Sequence, residues 1–182
     1  MKLINSFFLS LLCIIAATSC NSGSNTDNAN AAATATADSA GSGSVDGFKL
    51  GVQMWTFRMF SVTDALNKVD SAGIKNIEAF FGQPLGGDMK GNFGPEMDAG
   101  TRAKLKALLQ SKGISIVAMG VISPKDKAEW VKAFDLAAEF GLSYITSEPK
   151  KDQWDMVDSL AGAYAIKVAI HDHPKPSGYW SP

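Results

Sequence analysis

The chain has two cysteines and two histidines. Cys13 lies inside an apolar leader. If it leaves with that leader, Cys20 is the only thiol and an intramolecular disulfide is excluded. An exported protein without disulfides depends on its core or on a metal. Long hydrophobic runs are also scarce. Phe7 to Ala17 is apolar but too short to span a bilayer comfortably. Neither sign of charge dominates, with 17 basic and 18 acidic residues. Setting aside Lys2, Asp27, Asp38 and Asp46, which precede the expected domain, leaves 16 against 15. No block of Lys or Arg exceeds two, so a stripe that tracks phosphates is missing and nucleic acid is not an expected partner. No glycine-rich phosphate loop follows the first expected strand. Gln53-Met54-Trp55-Thr56-Phe57-Arg58 stands there instead, which argues against a nucleotide-binding sheet.

Residues 1–19 read as a signal peptide. Ala17-Thr18-Ser19-Cys20 resembles a bacterial lipoprotein signal, cut before Cys20 and lipidated on it. Ala17 stands where Leu is more usual, and an ordinary secretory signal or a retained anchor is the alternative. The expected location is the bacterial cell envelope, at the periplasm or cell surface, with membrane contact only through the lipid. Residues 20–46 are Ser, Gly, Asn, Ala and Thr with three acids and no aromatic residue. Such a stretch buries too little apolar surface to offset its ordering entropy and is expected to be a tether.

The domain is expected over 47–182. Phe48 to Phe57 reads as a first strand. Four further segments begin with a small residue and continue as apolar runs: 73–78, 113–117, 141–145 and 165–170. A helical pattern precedes each one. Ser61 is placed to cap a helix bearing Val62, Leu66 and Val69. The segment 101–112 carries Leu105, Leu108 and Leu109 on one face. Ser123-Pro124 with Asp126 is expected to open a third helix, with Pro in its first turn and a stripe of Trp130, Ala133, Phe134 and Ala137. A fourth holds Trp154, Val157, Leu160 and Ala161. Five strands alternating with four helices give an α/β fold with a parallel sheet and right-handed crossovers. That sheet is either open and doubly wound or the opening part of a (β/α)8 barrel.

Both histidines close the last apolar run, in Ile170-His171-Asp172-His173-Pro174. Residues i and i+2 of a strand share a face, so His171 and His173 are expected to project together, with Pro174 stopping the ladder. Glu148 ends the fourth expected strand. Paired imidazoles beside a carboxylate at a barrel mouth suit a metal or a sugar-sized ligand. Structural hydrogen bonding is the plainer alternative for each of the three. Glu78 ends the second strand and points into or over the barrel, as a site residue or a buried, paired acid. Gln53 and Trp55 alternate with Met54 on the first strand, and Trp55 is a sugar-stacking face or simple core. Lys175, Tyr179 and Trp180 form a segment that either covers a sugar or decorates the surface. Phe80, Phe81 and Met97 read as core or lid packing.

Several of these stretches carry a family resemblance. Leu50 to Thr56, Ile74 to Phe80 with Glu78, Ser147-Glu148-Pro149, and Ile170 to Pro176 with Tyr179-Trp180 are similar to the sugar phosphate isomerase/epimerase superfamily. This is the xylose-isomerase-like TIM barrel group, in its lipoprotein form from Bacteroidetes-type bacteria. The resemblance implies a barrel with a divalent metal at its C-terminal mouth, held by carboxylates and histidines. It implies Glu148, His171 and His173 as metal ligands, Glu148 and His173 as catalytic groups, and Gln53, Trp55, Glu78, Lys175 and Trp180 as substrate-binding. Zn, Mn, Co and Fe all suit such ligands. Length departs from the family. A whole barrel needs ~250 residues, so 47–182 is expected to hold about five of eight strands. That makes it a fragment or a natural truncation, with association through open edges as a consequence.

The expected function is metal-assisted proton transfer next to the carbonyl of a sugar or keto-sugar, an isomerase or epimerase chemistry. A non-catalytic carbohydrate-binding or vestigial barrel piece is the alternative. An abasic-site nuclease, a related branch of the family, is disfavoured by the neutral charge and by export. The anchor is testable directly. Cys20→Ala is expected to shift the protein from the membrane fraction to the soluble fraction. Retention in the membrane after the signal peptide has been removed would refute the lipoprotein reading.

Overall fold

In the computed structural model, residues 44–45 and 48–179 are described. The expected signal peptide, Cys20, most of the expected tether and Trp180 lie outside them. Ser44–Val45 (β1) pairs antiparallel with Phe48–Lys49 (β2), so pairing begins inside the stretch read as tether. The intervening sequence is Asp46-Gly47, a dipeptide that favours two-residue hairpins. No helix among the described residues is long and apolar enough to cross a membrane.

The first long strand is shorter than expected. Gly51–Gln53 (β3) is followed by a 3-10 turn over Met54–Phe57. Gln53 ends the strand itself, because its side-chain oxygen accepts the Trp55 N–H at 2.5 Å and caps the turn. Val62–Ser71 (α1) begins at Ser61, whose hydroxyl accepts the Asp64 N–H at 3.1 Å. It buries Val62, Ala65, Leu66 and Val69 at helical spacing. Asn76–Ala79 (β4) follows.

A small antiparallel pair, Pro84–Gly86 (β5) with Met89–Asn92 (β6), comes next and was not expected. Its sequence is glycine-rich and lacks apolar alternation, so period-2 patterning gives no sign of it. Ala99–Lys112 (α2) starts ahead of the expected Thr101, because the Asp98 carboxylate accepts the Thr101 N–H at 2.9 Å. Ser115–Ile122 (β7) leads to Lys127–Phe140 (α3). Here Asp126 is the cap, accepting the Glu129 N–H at 3.0 Å. Pro124 therefore lies before the helix and not in its first turn. Gly113 and Gly141 take the left-handed conformation that closes α2 and α3, with φ of 60° and 67°. Tyr144–Ser147 (β8), Trp154–Tyr164 (α4) and Lys167–Ile170 (β9) complete the order.

Five strands form one parallel sheet in the order β3-β4-β7-β8-β9. The order follows the chain without reversal. A doubly wound sheet reverses direction at a switch point, whereas a barrel adds strands in sequence. The fold is therefore α/β, made of successive β/α units in a partial TIM-barrel-like arrangement. The core lies between sheet and helices. Leu66, Leu105, Trp130, Phe134 and Leu136 meet Ile77, Met119 and Ile145 there, all at 2% exposure or less. Trp154, expected on the apolar stripe of its helix, is half exposed. Phe80 and Met97 are buried, as read from the sequence.

Ion pairs tie helices together on the outer layer. Glu139 of α3 takes Lys106 at 2.9 Å and Arg102 at 2.5 Å, both from α2. Hydrogen bonds from Lys106, then Arg102, hold the Glu139 carboxyl below its usual range. A carboxylate depressed on folding stabilises above its ordinary pKa and loses that contribution as pH falls through the folded value. Glu139→Gln should lower the melting temperature near pH 7 by about 1–3 °C. The gap to wild type should close on acidification to about pH 2. Melts across that range check it, and an unchanged gap in strong acid would assign the effect to something other than ionisation.

Candidate metal site

The ends of β7, β8 and β9 are stitched to one another just where the candidate residues emerge. The Ser147 hydroxyl, fully buried, donates to the Ile122 carbonyl at 2.5 Å. The Glu148 N–H donates to the same carbonyl at 3.3 Å, and the Ser123 hydroxyl donates to the Glu148 carbonyl at 3.3 Å. The backbone of Glu148 is thus held from both sides by the end of β7. On the other flank, the His171 N–H donates to the Ser147 carbonyl at 3.1 Å, extending the β8–β9 register by one rung.

These bonds place Glu148, His171 and His173 together, with one ligand atom from each inside a 4.8 Å span. The sequence reading of this cluster is corrected in one respect. β9 ends at Ile170, so the histidines do not share a strand face. They lie in the segment beyond it, with rings 4.7 Å apart and nearly perpendicular at 81°. The His173 N–H donates to the Tyr179 carbonyl at 2.7 Å, and that bond turns the second imidazole back towards the first.

Nε2 of His173 lies 2.6 Å from Oε1 of Glu148. A carboxylate only accepts, so the proton sits on the imidazole. Glu148 is the more sheltered partner, its side chain 27% exposed against 45% for His173. Two imidazoles and one carboxylate match the donor sets of open divalent-metal sites. Donors on one four-coordinate ion stand about 3.3 Å apart. The 2.6 Å pair would therefore have to part by less than about 1 Å on exchanging its shared proton for an ion. The set spans up to 4.8 Å, so its widest pair would also have to close by about 1.5 Å; with that side-chain adjustment the residues present fit such a group.

The remaining candidates are not brought to this cluster. Gln53 donates to the Gly120 carbonyl at 3.1 Å as well as capping its own turn, so both ends of its amide are engaged with backbone. Trp55 is 57% exposed, edge-on to Phe80 with centroids 5.1 Å apart and with the Arg58 guanidinium over its ring. Glu78 is half-buried, and its Oε1 has no hydrogen-bond partner among the described residues. Glu78 pairs in register with Ala118, and Ala118 with Tyr144, four residues before Glu148. At ~3.3 Å per residue, Glu78 falls about 13 Å short of the level of Glu148. It lines a cleft of about 380 Å³ with Gln53, Asn76 and Tyr144. Lys175 is exposed in the segment after His173.

Two residues outside the sequence-derived site belong to the cluster's frame. Ser147 spans three strand ends, and Tyr179 closes the histidine segment. A small polar residue at a strand end gives little signal in a sequence. The bonds of Tyr179 to segments 6 and 30 residues away leave no local pattern in the sequence.

No family model matches the chain, and no curated protein matches it. Among solved structures, an uncharacterized protein from Parabacteroides distasonis ATCC 8503 is 35% identical with a TM-score of 0.65, over 68% of this chain and 52% of that one. The chain thus spans about half the length of that relative, with which it shares its fold. A xylose isomerase domain protein from Alicyclobacillus acidocaldarius subsp. acidocaldarius aligns over 68% of this chain and 50% of that one. Its identity is 11% and its TM-score 0.42, a likeness too slight to bear on function.

The amide of Gln53 generates a prediction. Gln53→Ala leaves the Gly120 carbonyl and the Trp55 N–H without their partner, at a cost of about 1–2 kcal/mol. Urea denaturation should show this loss, while the affinity of the chain for divalent metal stays at the wild-type value. Unchanged stability would show that these bonds contribute nothing to folding.

Proposed function

We propose that the chain supplies one side of the active site of a metal-dependent enzyme acting on a sugar or keto-sugar by proton transfer next to a carbonyl, an isomerase or epimerase of the xylose-isomerase-like kind. One observation carries this reading. Glu148, His171 and His173 converge at the C-terminal ends of adjacent parallel strands in a barrel-like fold, and barrels of this kind place their chemistry at that end.

Glu148, His171 and His173 would hold a Zn, Mn, Co or Fe ion, leaving positions open for oxygen ligands. A bound divalent ion supplies Lewis-acid polarisation of a carbonyl oxygen. The chain's own residues supply the rest. With the proton between His173 and Glu148 displaced by the ion, the Glu148 carboxylate oxygen left free would take the proton from the carbon beside the carbonyl and return it to the neighbouring carbon, with His173 holding Glu148 in place. Trp55 offers an exposed aromatic face to a sugar ring. Glu78, about 13 Å down the sheet from Glu148, does not reach the same sugar; its unpartnered oxygen would serve a polar group entering the cleft it lines with Gln53. Gln53, already committed to backbone, shapes the floor near Glu78. Lys175 would help cover the sugar from the segment after His173, a role also expected of Trp180, which lies outside the described residues. Lipidated Cys20 would hold the enzyme in the cell envelope, and the remaining ligands would come from further β/α units.

A second reading has its own support. The Glu148–His173 pair satisfies itself without an ion, as a carbohydrate-binding or vestigial barrel piece would need. Metal content separates the two. After dialysis of the full-length protein against Zn²⁺ or Mn²⁺, wild type should retain one ion per chain. His171→Ala and Glu148→Ala should each bind at least about 10-fold more weakly. In D₂O, ketoses offered to the loaded protein should gain deuterium beside the carbonyl, and His173→Ala should abolish that gain. Equal metal content in all three proteins would remove the enzyme reading's main support.

A further inference from the structure

Tyr179 is hydrogen-bonded to the segments that carry two of the three candidate ligands. Its main-chain carbonyl accepts the His173 N–H at 2.7 Å. Its hydroxyl donates to the carbonyl of Pro149, the residue directly after Glu148. The same oxygen accepts the indole N–H of Trp154, the first residue of α4, at 3.0 Å. The two rings lie 6.4 Å apart at a 38° tilt. The segment is also closed on itself, with the Tyr179 N–H donating to the Ser177 hydroxyl at 3.1 Å and the Ser177 N–H donating to the Pro174 carbonyl at 3.3 Å.

We infer that Tyr179 is a positioning residue of the metal site, a brace that ties the His173 segment to the Glu148 segment through one side chain. The two ligands arrive from different strands. Glu148 follows β8 directly and is anchored to β7, as described above. His173 lies beyond the last rung of the ladder, where strand pairing no longer sets its place. A ligand outside the ladder is fixed poorly, since each unpaired residue keeps backbone freedom that must be lost on binding. The His173 N–H bond to the Tyr179 carbonyl closes residues 173–179 into a short loop. The phenol then fastens the loop to the carbonyl next to Glu148, and Trp154 orients the phenol. All of the phenol's hydrogen-bonding capacity faces protein, so the ring serves as frame and does not reach for a ligand. Partners behind the ligands commonly alter metal affinity by about 10–100-fold.

This inference rests on the metal reading above and is tested with Co²⁺ alone, whose visible absorption reports ligand number and geometry. The full chain, its Tyr179→Phe and Trp154→Phe variants, and Glu148→Gln as the ligand-loss control are titrated side by side. Tyr179→Phe keeps the ring and removes the hydroxyl. It should weaken Co²⁺ binding at least about 10-fold and alter the band shape, with circular dichroism unchanged. Wild-type binding and spectrum in Tyr179→Phe would overturn the inference and leave the metal site standing. Failure of wild type to bind Co²⁺ would overturn the metal reading itself. Should Tyr179→Phe unfold, Trp154→Phe decides. Loss of the indole donor should weaken Co²⁺ binding by a smaller factor, and affinity equal to wild type would overturn the brace.

Discussion

Parallel pairing on both sides of β8 is the constraint on which the candidate site depends. Parallel strands deliver all their C-terminal ends to one side, and an order that follows the chain makes consecutive units neighbours. Glu148 and His171 are 23 positions apart in the sequence and one strand apart in space. The stitching at that end is unusually dense for a strand terminus. Ile122 receives both a hydroxyl and an amide from the β8 end, and Ser147 in turn receives the amide of His171. β7 and β8 also approach so closely that a Cβ on Gly120 would collide with the Thr146 carbonyl. The close approach falls where the β7–β8 register shifts, between Met119 and Ile122.

The cluster is stable as a proton-sharing pair and is also suited to a metal. An unpaired buried carboxylate would be costly, and His173 removes that cost for Glu148 while both remain partly open to water. Exchange of the proton for a divalent ion needs side-chain adjustment in two senses, a slight opening of the Glu148–His173 pair and a closing of the 4.8 Å span of the whole set. The backbone around Glu148 is held by hydrogen bonds to the end of β7, so its side chain can reorient on a fixed frame. Glu78 and Gln53 form a separate feature lower in the sheet. The former has an oxygen without a partner and the latter has none to spare.

The β/α alternation, the helix faces and several caps were legible in the sequence, because they rest on short-range periodicity and on capping chemistry. Ser61, Leu105, Trp130 and Phe134 stand where the pattern puts them. The β5–β6 hairpin and the break after Gln53 were not legible. In the first case glycine-rich residues pair without apolar alternation. In the second a side chain caps its own backbone. Asp126, not Pro124, opens α3, because a carboxylate that reaches an N–H decides the start of a helix more strongly than a nearby proline.

The same division holds for the site. Local spacing alone made the two histidines neighbours and put Glu148 at a strand end, so the identity of the three candidate ligands was determined by the sequence. Only the tertiary structure decided how they meet. Strand alternation does not bring the imidazoles together, since β9 has ended before His171. A carbonyl from Tyr179 and a phenol anchored beside Pro149 draw the loop back over Glu148. Contacts between segments so far apart in the chain leave no periodic trace, because they depend on where the sheet places each strand end.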